Sequence, residues 1–361
     1  MPEPFKNMFN PQSLGELASA IQSVYVPFSV EAFLQSTIDE TWEALELKAR
    51  GRQITLNLGK HLPSDYREAI GVLDKVIEKH SGPGIFSFPD FVEVFGQDEA
   101  NWEVSVDALE RFTQYASSEL AVRPFIIAQQ DRMMARMLAW SKHENEHIRR
   151  LASEGCRPQL PWAIALAAFK KDPAPILPIL EQLKADPSLY VRKSVANNLN
   201  DISKTHPELV VRIAKDWYGK NEHTNWIVKH ACRTLLKKGD RDVLAIFGYD
   251  DVAAVDADDF ALEAASVSIG EEITFSFTIV AKEATKARME YGIDFVKANG
   301  KTSRKIFQIS EIPLKANQKR RYVKKHSFAD VSVRKHYPGT HSIALIVNGA
   351  ERGKLDFEVT L

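Results

Sequence analysis

In "HIRRLASEGCRPQLPW" (147–162), Glu154 stands four residues after Arg150, so both side chains project from one face of a helix. A carboxylate among arginines has two readings. It is an ordinary i,i+4 ion pair, or it is placed beside a cation that forms during a reaction. Two later segments align with this one, and Asn197 and Thr234 then occupy the column of Glu154. An acid kept in one copy and not in its neighbours reads as a local device rather than scaffold. Asp201 lies one helical turn beyond Asn197, and Glu119 lies one unit earlier, four residues before Arg123. Three carboxylates on successive units can converge on one groove. One use for them is to stabilise an oxocarbenium-like transition state during cleavage of a glycosidic bond. Trp162 follows a Pro break. Its flat face can pack on a sugar, stack on a base or attract a cation, and the other reading is a core residue between helices.

Basic residues open the three aligned segments. Ile148-Arg149-Arg150 matches Val191-Arg192-Lys193 and Val228-Lys229-His230. Cations at equivalent places in stacked units lie along one surface, where they can meet successive phosphates. Arg157, just past its helix, is a further candidate. The other reading pairs at least one cation of each step with an aspartate of a neighbouring turn.

The elements that must position these residues follow from periodicity. Residues 14–238 space apolar residues at three and four, as in "SDYREAIGVLDKVIEKH" and "PELVVRIAKDWY", which predicts helices. A period near 40 with an apolar-basic-basic opening is the signature of HEAT-type helical pairs. From residue 271 the period changes to two. "EEITFSFTIV" puts Ile273, Phe275, Phe277 and Ile279 on one face, and hairpins are expected at Asn299-Gly300 and Asn348-Gly349. About seven short strands predict an immunoglobulin-like sandwich. The fold class is therefore mainly α: a HEAT-like α-solenoid (1–248), an acidic linker (249–261) and a C-terminal Ig-like β-sandwich (262–361).

Composition narrows the chemistry. The net charge of −1 hides an asymmetry, because residues 261–361 carry 17 Lys/Arg against 11 Asp/Glu. That basic balance permits an anionic partner such as nucleic acid. Two cysteines without a CxxC partner argue for a reducing, cytoplasmic setting and against a zinc-thiolate site. The longest apolar run, "WAIALAAF", is too short to span a bilayer. No Walker loop, dinucleotide-binding, nucleophile-elbow or zinc-protease motif occurs, so neither metal nor organic cofactor is expected.

The stretches "NEHIRRLASEGCRPQLPW" and "DPSLYVRKSVANNLNDISKTHPE" resemble the AlkC branch of the AlkD-like DNA alkylation-repair glycosylases. The resemblance covers essentially the whole chain. It implies a monofunctional glycosylase that hydrolyses the N-glycosidic bond of small cationic bases, chiefly 3-methyladenine and 3-methylcytosine, without flipping them out of duplex DNA. It implies catalytic roles for Glu154 and Asp201 near the deoxyribose, packing of Trp162 on that sugar, and a place for Glu119 in the same cleft. The repeat cations, Arg149, Arg150, Arg157, Arg192, Lys193 and Lys229, would then grip the DNA backbone. A monomer acting on duplex DNA in the cytoplasm is expected. The competing reading is a non-enzymatic HEAT scaffold that recognises damaged DNA or a protein.

Overall fold

The computed structural model describes residues 3–331 and 334–361. Helices fill the first two thirds of the chain. They are α1 (Pro11–Val24), α2 (Val30–Thr37), α3 (Leu47–His61), α4 (Tyr66–Ile77), α5 (Ser87–Phe95), α6 (Trp102–Phe112), α7 (Arg123–Ala128) and α8 (Gln130–Trp140). After these come α9 (Glu146–Glu154), α10 (Ala167–Lys171), α11 (Leu177–Leu183), α12 (Leu189–Ile202), α13 (Pro207–Trp217), α14 (Glu222–Ala231), α15 (Arg233–Lys237) and α16 (Arg241–Phe247). Chain contacts divide the molecule into Met1–Thr205 with Gly219–Ala231, and His206–Tyr218 with Cys232–Leu361. The last helix ends at Phe247, next to the boundary expected at 248, yet α13, α15 and α16 group with the strands.

In the first unit, side-chain caps and apolar stripes set the helices. Asn145 caps α9 by accepting the His147 amide at 2.8 Å, and Ser29 caps α2 through the Ala32 amide. Ile148 and Leu151 of α9, and Val191, Val195 and Leu199 of α12, are buried. α12 packs against both α9 and α14. The three segments with basic openings are therefore neighbouring helices in chain order, as a repeat stack requires. Ser153 meets Ser194 at 2.7 Å, and the Asn198 side-chain amide donates to the Ser153 carbonyl at 2.8 Å, tying α9 to α12.

The strands are β1 (Val255–Leu262), β2 (Ser266–Ser268), β3 (Glu272–Ala281), β4 (Thr285–Val296), β5 (Thr302–Leu314), β6 (Lys319–Ser327), β7 (Gly339–Val347) and β8 (Ala350–Thr360). They form a three-stranded sheet, β1-β3-β6, and a five-stranded sheet, β2-β8-β7-β4-β5. The expected face of β3 is buried, with Phe275, Phe277 and Ile279 fully inaccessible. Asn348 and Gly349 turn between β7 and β8 with φ of 50° and 74°, the left-handed pair that a two-residue hairpin needs.

The acidic stretch is a strand, which corrects its reading as a linker. β1 occupies most of it and pairs antiparallel with β3. Val255, Ala257, Phe260 and Leu262 pack on the core, so a period-two pattern lies beneath the aspartates. An irregularity between Asp258 and Ala261, with Asp259 at φ 55°, shifts the alternation and hides it in the sequence.

Candidate active site

The site forms where α9 ends. A Cβ on Gly155 would stand 2.6 Å from Val122 Cγ1, so only glycine lets the end of α9 approach the segment before α7 this closely. That approach brings Glu119 and Arg123 beside Glu154.

Arg157 bridges the two central acids. Its Nη1 donates to Glu154 Oε1 at 2.6 Å and its Nε to Asp201 Oδ2 at 2.9 Å. All three residues are buried. Burial opposes the guanidinium charge, but Glu154 and Asp201 outweigh it and hold the Arg157 pKa above the usual arginine value. Lys204 at the surface donates to Asp201 Oδ1 at 2.8 Å. Arg150 lies 3.7 Å from Glu154 Oε1 and pairs with Glu119, which also accepts from Ser117 at 2.8 Å. Glu119, Glu154 and Asp201 thus join one network through Arg150 and Arg157. Whether the two central acids meet was not readable from spacing.

The repeat cations divide by position within each step. The first points back to the turn that precedes its own helix. Arg149 donates to the carbonyls of His143 and Glu144, at 3.0 and 2.6 Å, and is bidentate to Asp186. Arg192 donates to the carbonyls of Asp186 and Pro187, both at 2.8 Å. These turns are equivalent in the two repeats, so Arg149 and Arg192 lock repeat geometry. The second differs between the repeats: Lys193 is exposed, whereas Arg150 is half-buried against Glu119, Ser117 and the ring of Tyr190. Lys229 is half-buried. Arg157, expected as a backbone contact, lies between two carboxylates instead.

Trp162 is not a core residue. It is 77% exposed and has φ of 63°. The Ala163 amide bonds the Leu160 carbonyl at 3.3 Å, closing a turn over Leu160-Pro161-Trp162-Ala163. Proline followed by positive φ is the pattern of a type II turn, and tryptophan stands where glycine is favoured. Two residues that sequence reasoning passed over hold this loop. Lys48 of α3 donates to the Trp162 carbonyl at 2.6 Å. Arg123, fully buried, donates to the carbonyls of Ile164 at 2.6 Å and of Gly155 and Arg157 at 2.9 Å each. Burial pushes its pKa down to about 10, which leaves it a cation at neutral pH. A lone arginine in "ELAVRPFII" was the available signal for Arg123, whereas nothing local marks Lys48.

The neighbouring thiol is not a nucleophile, because burial pushes Cys156 up to about 12. Among the described residues, no cluster of three or more His, Cys, Asp or Glu side chains could hold a metal ion, and no helix is long and apolar enough to cross a membrane.

A stack of helical repeats joined to an Ig-like sandwich, with buried acids where one repeat helix ends, defines an AlkC/AlkD-like fold. Residues 96–235 match the family described as DNA alkylation repair enzyme, and residues 256–361 match the C-terminal Ig-like domain of uncharacterised protein YhaZ. The chain is 48% identical over 354 residues to the uncharacterized protein YhaZ of Bacillus subtilis, covering 98% of this chain and 99% of that one. It superposes with a TM-score of 0.95 on the Pseudomonas fluorescens alkylpurine DNA glycosylase AlkC bound to DNA containing an abasic site analog. That likeness has 36% identity and covers 99% of this chain and 100% of the other. The chain belongs to the DNA alkylation repair enzyme family, in its AlkC branch.

Proposed function

We propose that this protein is a monofunctional DNA glycosylase that releases small cationic alkylated bases, chiefly 3-methyladenine and 3-methylcytosine, from duplex DNA. The observation that carries the reading is the pair of buried carboxylates, Glu154 and Asp201, held on the guanidinium of Arg157, whose loop carries the exposed Trp162 five residues on. Carboxylates fixed by these ion pairs can stabilise a cation that develops beside them and repel a phosphate, so they have a use at C1′ and none at the backbone.

A base with a fixed positive charge needs no general acid to leave. The C1′–N bond breaks, its electron pair departs with the base, and the base becomes neutral. The sugar takes the positive charge as an oxocarbenium ion, which Glu154 and Asp201 stabilise and the Trp162 ring faces. Water then adds to C1′ and loses its proton to a carboxylate or to solvent. Glu119 shapes the same cleft through Arg150. Arg150 and Lys193 meet the backbone, and the base stays stacked instead of entering a pocket. The enzyme acts as a monomer without metal or organic cofactor, and its basic sandwich helps enclose the duplex.

The test is incubation with methylated duplex DNA and chromatography of what is released. Free 3-methyladenine and 3-methylcytosine are expected above a buffer control. Glu154→Gln and Asp201→Asn should each slow release at least about tenfold. Absence of any free base would sink the glycosylase reading in favour of a scaffold that only recognises damage.

A further inference from the structure

Trp162 is a costly way to fill its position. A bulky residue in the left-handed region costs about 1–2 kcal/mol. At 77% exposure the indole recovers little of that through burial. Such a conformation persists only where its surroundings over-determine it. The surroundings here are two cations that bind four carbonyls of the segment 155–164.

Neither cation is explained by its own element. Lys48 sits in the first turn of α3, where the helix dipole disfavours positive charge, and the carbonyl to which it donates is 114 residues away. Arg123 is fully buried, its polar contacts are carbonyls, and its Nη2 finds no partner among the described residues. An apolar side chain of similar volume would fill that space without desolvating a charge or orphaning a donor. What such a side chain could not do is fix the carbonyls on both sides of the Trp162 turn, one of which belongs to Arg157.

We infer that Arg123 and Lys48 are positioning residues, which clamp the 155–164 loop and hold Trp162 in its strained conformation within the loop whose Arg157 bridges Glu154 and Asp201. The inference rests on the proposed role of Trp162 at the sugar. Neither residue touches substrate, and both act through the loop. Arg123 serves both halves of the site, since the Arg157 backbone that it holds carries the guanidinium bridging the acids.

The test is a double-mutant cycle on the full-length protein, reading single-turnover release of 3-methyladenine from methylated duplex DNA. Lys48→Ala should slow release about tenfold, the effect of losing a charged hydrogen bond. Affinity for a duplex with an abasic-site analogue, and its salt dependence, should stay unchanged. Lys48→Arg should restore the rate. In a Trp162→Ala background, Lys48→Ala should have no further effect. Arg123→Lys, which keeps the charge but cannot span three carbonyls, should slow release at least as much as Lys48→Ala. Lys48 lies at the surface, so its variant keeps the inference testable if Arg123 variants fold poorly. Multiplying losses, or a shallower salt slope in Lys48→Ala, would make Lys48 a DNA contact and overturn the clamp. So would a slow Trp162→Ala enzyme beside an unimpaired Lys48→Ala enzyme. A Trp162→Ala enzyme of normal rate would instead sink the role of Trp162 itself, and the clamp with it.

Discussion

At the scale of single residues, the site trades stability for placement. Trp162 occupies a backbone conformation that asparagine tolerates far better. Trp162→Asn should therefore stabilise the protein by about 0.5–1 kcal/mol in urea denaturation while slowing base release. Loss of both stability and rate would mean that the indole supports packing instead. Arg157 is the opposite case. Removing it leaves buried Glu154 with Arg150 at 3.7 Å and buried Asp201 with the exposed Lys204, so Arg157→Met should cost about 3 kcal/mol. Because Arg157 is spent on Glu154 and Asp201, the salt dependence of duplex binding should not change in that variant. A slope shallower by about one would show that it leaves the acids for a phosphate.

At the scale of elements, two adjacent cations in one repeat step do different work. Arg149 and Arg192 each reach back to the carbonyls of the preceding inter-helix turn, and the offset between the two repeats is the same for the arginines and for their acceptors. The first position is a bracket between helices, and in the second repeat the position after it, Lys193, is exposed at the surface. Arg149→Ala also abandons Asp186, which is 6% exposed, and should cost about 3 kcal/mol with a weak effect on salt dependence. Lys193→Ala should change stability by less than about 0.5 kcal/mol and should weaken duplex binding with a shallower salt slope. Equal stability losses in the two variants would remove the distinction.

At the scale of the whole molecule, the sandwich sets the response to acid. His326, His336 and His341 lie among Phe295, Phe328 and Phe357. Burial pushes His326 down to about 4, with Arg334 and His336 adding to the effect, and burial lowers His336 and His341 as well. The unfolded chain takes up these protons near pH 6.5, while the folded sandwich takes up the His326 proton only near pH 4. The stability contribution is thus whole above pH 6.5 and is lost as pH falls toward 4. His326 alone accounts for about 3 kcal/mol over that range. Urea denaturation at pH 7.5 and 4.5 should show the loss, and His326→Phe should reduce it. A stability that is flat across this window would mean that the cluster admits protons freely.

The sequence by itself determined the class of structure, because periodicity is a local property. Spacing at three and four made helices, alternation at 271–280 made a strand with its buried face correct, and Asn348-Gly349 made a hairpin. The basic steps at 149, 192 and 229 were enough to read a repeat. Local pattern failed at β1, where a bulge broke the alternation and aspartates disguised a strand as a linker. It could not show that Arg157 would bridge Glu154 and Asp201, since that depends on how α9 and α12 stack. Nor could it separate Arg149 from Arg150, which are adjacent in sequence and project to different neighbours. Lys48 reaches the Trp162 carbonyl across 114 residues, and only the packed chain brings those two groups together.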